Sequence, residues 1–372
     1  ASTRCACPSS SRSPFAALHN RQLCRIAYHR AMRATALFTF SALLLAGCAT
    51  GGSSVPGNTT PSAESRIDAL MHDYAGSDGP GASVLVIRDG QPIVRKSYGL
   101  ANLESREAIT PATNFRLASV SKQFNAAAIL MLAEQGKLSI DDPVQRWLPS
   151  LPQADITIRQ LLTHTSGLVD YEDLMDPKDT AQIHDSGVLD LLSHETRTYF
   201  PPGTGYRYSN SGYALLCLIV QRASGQRYAD FLHDHIFEPL GMHATVAYEN
   251  GISTVAHRAY GYTMEDGKWT RTDQSTTSAV LGDGGIYSSI DDLQRWDAAL
   301  YDERLLHAAS WQQAFTPWTK TDEPDVEYGF GWRITGETLW HSGETVGFRN
   351  VIVRYPRRHV TVVVLTNRNE PE

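Results

Sequence analysis

Residues 115–149 of the chain read FRLASVSKQFNAAAILMLAEQGKLSIDDPVQRWLP. After Lys122 the apolar residues recur at helical spacing, and Gly136 is a typical helix stop. We therefore expect a buried helix over residues 123–134. It begins directly behind the tetrad Ser119-Val-Ser-Lys122, which puts a lysine in the first turn of an apolar helix. A serine and a lysine three positions apart on a helix share one face.

This tetrad has the parts of a nucleophile and its base. A partly desolvated Lys122 could take the proton of the Ser119 hydroxyl. The start of the helix adds positive potential, which favours an oxygen that must become anionic. The pattern is weak by itself, and the alternative is a solvated helix start that Ser119 caps.

A second motif, Tyr208-Ser-Asn210, stands just before an apolar helical pattern. A phenol brought near Ser119 could share the base function, and an amide side chain could bind a substrate carbonyl or amide. Tyr248-Glu-Asn250 has the same form but runs into Gly251 and is typical of a surface turn. We favour Tyr208 because residues at a helix start are held more rigidly.

The third motif is His341-Ser-Gly343, in a predicted strand near the end of the chain. A hydroxyl at Ser342 could bind a substrate carboxylate, and Gly343 allows a substrate backbone to approach the strand.

In this order the three motifs resemble the S-x-x-K, Y-x-N and K-T-G set of serine β-lactamases and penicillin-binding proteins. The resemblance is closest to class C β-lactamases, D-alanyl-D-alanine carboxypeptidases and the esterases that share their fold. It covers roughly residues 62–367, because residues 115–149, 161–168, 237–242 and 282–288 also read as blocks of this family.

The resemblance implies a serine hydrolase that works through an acyl-enzyme on Ser119. Lys122 and Tyr208 would then transfer protons, and Asn210 would contact the substrate amide. The backbone N–H groups of Ser119 and Glu344 would form the oxyanion hole. His341, Ser342 and Gly343 would complete the substrate-binding strand. No cofactor and no metal are implied.

One departure bears on the substrate. His341 stands where the family has the K-T-G lysine, and a histidine is mostly uncharged at pH 7. A permanent charge that would anchor a carboxylate is therefore weakened, which favours an esterase or D-Ala peptidase over a dedicated β-lactamase. The alternatives are a β-lactam-hydrolysing enzyme, a penicillin-binding sensor that is acylated without turnover, and a structural lipoprotein with a degenerate site.

The fold class is predicted from the two ends of residues 62–372, which we call the body. Residues 82–88 and 92–98 are β-rich runs around Asp89-Gly90, which predicts a hairpin. Residues 338–341, 348–355 and 359–366 predict three more strands, and residues 62–75 predict an amphipathic helix. Between the ends, residues from about 123 to 275 have mostly helical patterns. We therefore expect an α+β fold in which an antiparallel sheet, formed from both ends and flanked by helices, carries an inserted helical lobe.

The first 61 residues predict export and a tether. Met32-Arg33 begins a short basic start, residues 34–46 are apolar, and Leu45-Ala-Gly-Cys48 resembles the lipobox of bacterial lipoproteins. We expect residues 1–47 to hold an upstream extension and a signal peptide, with the precursor starting at Met32. Cys48 would then be lipidated and residues 48–61 would form a flexible tether.

These features predict a protein that is lipid-anchored at the periplasmic face of a bacterial membrane. Ala49 after the cysteine favours the outer membrane. An ordinary signal peptide or an organelle transit segment is the alternative. At the other end, the chain stops soon after Asn369, where relatives usually continue into a helix, so we expect the body, residues 62–372, to be truncated.

Composition limits the partners. Apolar residues make up 42% of the chain, which is enough for a substantial core. Without the six arginines of residues 1–47, 27 basic residues stand against 40 acidic ones, so we expect no nucleic-acid partner. The expected partners are a small-molecule or peptide substrate and membrane lipid. Cys217 reads as a buried hydrophobe, and the histidines at 233, 235 and 243 as solvated rather than metal-binding.

Overall fold

The computed structural model describes residues 61–370. Its fold is α+β: a large antiparallel sheet with helices packed around it. The strands of this part of the chain are β1 (Ala82–Arg88), β2 (Gln91–Tyr98), β3 (Leu100–Asn102), β4 (Glu107–Ala108), β5 (Phe115–Arg116), β6 (Val246–Ala247), β7 (Tyr262–Glu265), β8 (Lys268–Arg271), β9 (Ile286–Ser288), β10 (Thr319–Lys320), β11 (Glu327–Tyr328), β12 (Arg333–Thr335), β13 (Thr338–Thr345), β14 (Phe348–Tyr355) and β15 (Val360–Thr366).

The α-helices of the same part lie mostly between β5 and β13. They are α1 (Ala63–Leu70), α2 (Lys122–Glu134), α3 (Ile158–Leu162), α4 (Asp185–Ser193), α5 (Asn210–Ser224), α6 (Tyr228–Leu232), α7 (Leu281–Gly284), α8 (Ile290–Ala299) and α9 (Ala308–Ala314). None of the helices within residues 61–370 combines the length and the hydrophobicity that crossing a bilayer needs.

The main sheet joins the two ends of the body, as predicted. Its eight strands run in the order β10-β11-β12-β13-β14-β15-β1-β2, with all neighbours antiparallel. The first strand pairs with the last, from Ala82 opposite Thr366 to Arg88 opposite Val360. The hairpin between β1 and β2 turns at Asp89 and Gly90, whose φ angles of 51° and 76° match the turn that Asp-Gly favours.

The sheet is larger than the sequence predicts. Strands β10, β11 and β12 have two or three residues each, too few to show an alternating pattern. The predicted strand 338–341 extends to Thr345 and so carries the whole third motif. The predicted helix over 62–75 ends as an α-helix at Leu70, and a 3₁₀ turn, His72–Tyr74, follows.

Helix α8 is fastened to the sheet by a buried ion pair. Asp297 on α8 accepts a hydrogen bond from Arg354 Nε at 2.7 Å and one from the Thr361 hydroxyl at 2.8 Å. Both charged side chains are almost fully buried. Removing one partner of such a pair typically costs about 3–5 kcal/mol, because the other charge stays buried and unpaired.

Helix α2 lies in the centre of the core. Its residues from Lys122 to Leu130 are all buried. Phe124 packs against Trp296 of α8 with ring centroids 4.4 Å apart, and Trp296 Nε1 donates to Gln123 Oε1 at 3.0 Å. The helix starts one residue earlier than predicted, directly after a 3₁₀ turn. This packing fixes the position of Lys122. The predicted signal peptide, Cys48 and nearly all of the tether lie outside the described residues.

Candidate active site

Ser119 lies in a tight turn between β5 and α2. The turn is a 3₁₀ helix, Ala118–Ser121, and Ala118 has a φ of +49°, which is unfavourable for a residue with a Cβ. Gly284 lies against this strained residue: a Cβ at position 284 would come 3.3 Å from the Ala118 Cα. Such strain persists only where the surroundings enforce it. The result is a Ser119 that is partly exposed in front of a buried lysine.

The buried amine of Lys122 contacts three oxygens. Its Nζ lies 2.9 Å from Ser119 Oγ, 2.9 Å from Asn210 Oδ1 and 2.9 Å from the backbone oxygen of Asp283. An amide oxygen and a carbonyl oxygen can only accept. An ammonium donates to all three oxygens, whereas an amine that has lost a proton keeps two N–H groups for Asn210 and Asp283 and turns its lone pair to Ser119. This arrangement is suited to removing the serine proton.

Tyr208 lies beside the same amine. Lys122 Nζ is 5.0 Å from the centroid of the Tyr208 ring. The Tyr208 hydroxyl is buried and makes no hydrogen bond within residues 61–370. The structure therefore brings Tyr208 to Lys122, whereas the Tyr248 hydroxyl bonds to Asn250 Oδ1 at 3.3 Å.

The ring of His164 packs against the ring of Tyr208. The two rings are 4.3 Å apart, and His164 Nδ1 accepts from the Ser209 backbone N–H at 3.2 Å, so the ring proton sits on Nε2. Burial, with a smaller effect of the Lys122 charge, lowers the pKa of His164 well below 6.5. An uncharged histidine of this kind holds the loop and the tyrosine in place.

Asn210 begins α5 and is held on three sides. Its backbone N–H donates to Asp170 Oδ2 at 2.8 Å, Oδ1 accepts from Lys122, and Nδ2 donates to Glu172 Oε1 at 3.0 Å. The orientation of the amide is therefore fixed. One N–H of Nδ2 remains for a substrate oxygen, which fits the predicted contact.

The third motif lies on β13, next to the serine turn. His341 is 1% exposed. Its Nδ1 lies 2.6 Å from the Ser342 backbone oxygen and its Nε2 lies 3.0 Å from the Tyr328 hydroxyl. Because the carbonyl only accepts, Nδ1 carries a proton, and Nε2 can then accept from Tyr328 as in a neutral ring. Ser342 is partly exposed on the same strand.

Gly343 brings β13 into contact with the serine turn. A Cβ at this position would lie 2.1 Å from the Leu117 oxygen and 3.1 Å from the Ser119 nitrogen. Glu344 is the next residue, and its exposed side chain pairs with Arg349 at 3.1 Å. Ser119 and Glu344, whose backbone N–H groups are predicted to form the oxyanion hole, therefore both lie where β13 meets the serine turn.

Two buried carboxyl groups hold the segment around Asp283, whose backbone oxygen accepts from Lys122 Nζ. Burial raises the pKa of Asp283 to about 7, and its carboxyl accepts from the Tyr171 hydroxyl at 2.9 Å. Burial also raises the pKa of Asp185 to about 6, and its carboxyl accepts the N–H groups of Leu281 and Gly282 at 2.9 Å each. Sequence reasoning missed these groups. Asp283 stood in a recognised block, but nothing marked its carbonyl.

The histidines weighed as metal ligands are engaged elsewhere. Nδ1 of His233 lies 2.8 Å from Asp234 Oδ1, and His243 Nδ1 lies 3.1 Å from Glu238 Oε2. Across residues 61–370, no three His, Cys, Asp or Glu side chains are grouped so as to hold a metal ion.

A serine hydroxyl, a buried amine at hydrogen-bond distance and a neighbouring phenol, set against the edge of an antiparallel sheet, define a serine hydrolase. The family model described as Beta-lactamase matches residues 64–372, and the chain belongs to this family. Its relatives include Penicillin-binding protein 4* of Bacillus subtilis (strain 168), which is 36% identical over 307 residues, 77% of this chain and 68% of that protein.

Solved structures agree with this assignment. The penicillin binding protein from Bacillus halodurans superposes with a TM-score of 0.72 at 31% identity, over 81% of this chain and 94% of that one. The D-amino acid amidase from Ochrobactrum anthropi SV3, complexed with L-phenylalanine amide, superposes with a TM-score of 0.71 at 25% identity, over 82% of this chain and 90% of that one.

Proposed function

We propose that the protein cleaves ester or amide bonds through an acyl-enzyme on Ser119, as an esterase or a D-Ala peptidase. The observation that carries this proposal is the 2.9 Å contact between Lys122 Nζ and Ser119 Oγ, in which two other acceptors hold the amine.

Acylation begins when Lys122 takes the Ser119 proton. The oxygen attacks the substrate carbonyl carbon, and the negative charge on the carbonyl oxygen meets the backbone N–H groups of Ser119 and Glu344. The proton passes by way of Tyr208 to the leaving alcohol or amine, and the bond to the leaving group breaks. Water then attacks the acyl carbon and gives a proton to the same pair of residues. They return this proton to Ser119 Oγ as the bond between Oγ and the acyl carbon breaks, and the acid product leaves.

The substrate class is supported by His341. It is a buried histidine in contact with the Ser342 backbone oxygen and the Tyr328 hydroxyl, at the position where the lysine of K-T-G would place a permanent cation to anchor a carboxylate-bearing β-lactam. The D-amino acid amidase among the structural neighbours also favours amide or ester substrates. The penicillin-binding relatives favour the second candidate, a protein that penicillin acylates with slow or no release.

The test is to incubate the protein with p-nitrophenyl acetate and with a penicillin, and to map the adduct by peptide mass spectrometry. We expect the adduct on Ser119 and none in Ser119→Ala, while Ser77→Ala, an exposed serine, serves as the control. An adduct elsewhere, or full turnover by Ser119→Ala, would reject the proposal. Rates on nitrocefin, a short-chain ester and a D-Ala-D-Ala peptide, measured side by side, separate the candidates. A burst without steady turnover identifies the non-turnover protein.

We also propose that Cys48 carries a lipid that tethers the enzyme to the periplasmic face of the outer membrane. The motif Leu45-Ala-Gly-Cys48 after an apolar run supports this. Radiolabelled palmitate should enter the protein in a bacterial host and should be absent from Cys48→Ala. Equal labelling of both would refute the anchor.

A further inference from the structure

Glu172 is a carboxylate beside the reaction centre that the proposed mechanism does not use. Its Oε1 accepts from Asn210 Nδ2 at 3.0 Å, and Asn210 Oδ1 in turn accepts from Lys122 Nζ at 2.9 Å. A chain of hydrogen bonds through Asn210 and Lys122 therefore links this carboxylate to Ser119. The residue is exposed, so that a ligand in the site can reach it.

The position of Glu172 is built into the fold. Asp170 caps the 3₁₀ turn Tyr171–Asp173: its Oδ1 accepts the Glu172 N–H at 3.2 Å and its Oδ2 accepts the Asn210 N–H at 2.8 Å. One carboxylate thus ties the backbone of Glu172 to the start of α5.

The third acid of this segment is committed elsewhere. Asp173 accepts from the Tyr199 hydroxyl at 2.6 Å and lies 3.5 Å from Arg207. Of Asp170, Glu172 and Asp173, only Glu172 contacts the side chain of Asn210. The feature is therefore one placed charge and not a diffuse acidic surface.

The basic groups near Ser119 are engaged within the protein: Arg333, whose Cζ lies 5.5 Å from the centroid of the Tyr208 ring, pairs with Glu323 at 2.7 Å. The amine of Lys122 is fully buried beneath the serine, and its three contacts are all within the protein. On β13, both ring nitrogens of His341 are engaged within the protein, Nδ1 with the Ser342 backbone oxygen and Nε2 with the Tyr328 hydroxyl. A carboxylate on the substrate would meet Glu172 as a like charge, whereas a protonated amine would be attracted.

We propose that Glu172 forms an ammonium subsite, so that the preferred substrates carry a protonated amine next to the scissile carbonyl, as in amino-acid esters and amides. This rests on the proposed acyl-enzyme function. The carbonyl carbon must lie within about 3–3.5 Å of Ser119 Oγ. Because Glu172 Oε1 accepts from Asn210 Nδ2 at 3.0 Å, an acyl group that contacts Asn210 also lies close to the Glu172 carboxylate, where an amine one carbon away can meet it.

The first experiment compares alanine p-nitroanilide, as both enantiomers, with its N-acetyl form. In the wild type, kcat/KM should favour the free amine at least about 10-fold, which is a typical value for a placed charge pair. Glu172→Gln keeps an acceptor for Asn210 Nδ2 but removes the charge, and should bring this ratio down about 10-fold. Glu265→Gln, an exposed glutamate on β7, should keep the wild-type ratio.

The second experiment measures binding without turnover. In Ser119→Ala protein, phenylalanine amide should bind about 10-fold more tightly than N-acetyl-phenylalanine amide, and Glu172→Gln should remove the difference. Equal binding of the two ligands, or an unchanged preference in Glu172→Gln, would overturn the ammonium subsite. Turnover through Ser119 with no preference for the amine would overturn it and leave the proposed function intact. A preference for the amine in binding, with no acyl-enzyme formed by the wild type, would support the ammonium subsite and overturn the proposed function.

Discussion

Gly343 and Leu117 are in backbone contact, and a Cβ on Gly343 would lie only 2.1 Å from the Leu117 oxygen. Leu117 stands two residues before Ser119, so this contact sets the distance between the substrate-binding strand β13 and the serine turn. Any side chain at position 343 must push the two apart.

Gly343→Ala should therefore lower kcat/KM for an ester by about 100-fold or more, because the two predicted oxyanion donors lie on opposite sides of the contact and losing one such donor costs ~10²–10³ in rate. Steady-state kinetics on p-nitrophenyl acetate check it. The control is Gly76→Ala, where a Cβ meets nothing within 4 Å. Activity within twofold of the wild type in Gly343→Ala would contradict the prediction.

Tyr208→Phe should separate catalysis from stability. The hydroxyl is buried and makes no hydrogen bond within the described residues, so its loss should leave the melting temperature unchanged or slightly raised. Loss of a proton-transfer group should lower kcat by about 10²–10⁴. Tyr228→Phe removes another buried hydroxyl without a partner in that part of the chain, and should leave kcat unchanged. A fully active Tyr208→Phe would remove Tyr208 from the mechanism.

Asp283→Asn should change how stability depends on pH. Burial raises the pKa of this carboxyl from 3.8 to about 7, so the folded protein keeps a proton that the unfolded chain releases between these values. The stability that this carboxyl contributes is complete below about pH 4 and is lost as the pH rises towards 7.

The difference in unfolding free energy between Asp283→Asn and the wild type should therefore shift in favour of the variant by on the order of 3 kcal/mol from pH 4 to pH 8. Asparagine keeps an oxygen for the Tyr171 hydroxyl. Urea unfolding at pH 4.5, 6 and 8 measures the difference. The control is Asp190→Asn, because Asp190 is exposed. A difference that is constant with pH would show that Asp283 titrates normally.

His341→Lys should favour carboxylate-bearing substrates over neutral esters, lowering the ratio of their KM values about fivefold through the added cation. The variant should also melt several degrees lower, since it buries a charge and removes the acceptor of the Tyr328 hydroxyl. His341→Met has a similar length without the charge, and should leave the KM ratio unchanged. Equal gains for both substrate types in His341→Lys would show that the charge at 341 does not discriminate.

The central strands could be predicted because they are long and regular. Residues 82–88 and 348–355 are strands with the predicted bounds, and α2 differs from its prediction by one residue at its start. We also expected the side chains of Ser119, Lys122, Tyr208 and Asn210 to lie close together, because their motifs follow one another in the order that the resembling family has. Their catalytic roles stay predictions.

The remaining features depend on tertiary contacts that local patterns do not encode. The positive φ of Ala118 depends on packing against Gly284, far along the chain. Glu172 lies in an ordinary polar turn, and only the fold brings its carboxylate to Asn210. The two-residue strands β10 and β11 exist only through pairing in the sheet, β10 with β11 and β11 with β12.

The pairing of β1 with β15 governs when the domain can fold. The Gly81 N–H donates to Asn367 Oδ1 at 2.7 Å across 286 residues of chain. Contacts of such long range make folding slow. The middle of the sheet cannot form before β15 has been synthesised, because β15 pairs with both β1 and β14. Until β15 is available, one edge of β1 stays unpaired and is exposed to chaperones or to aggregation.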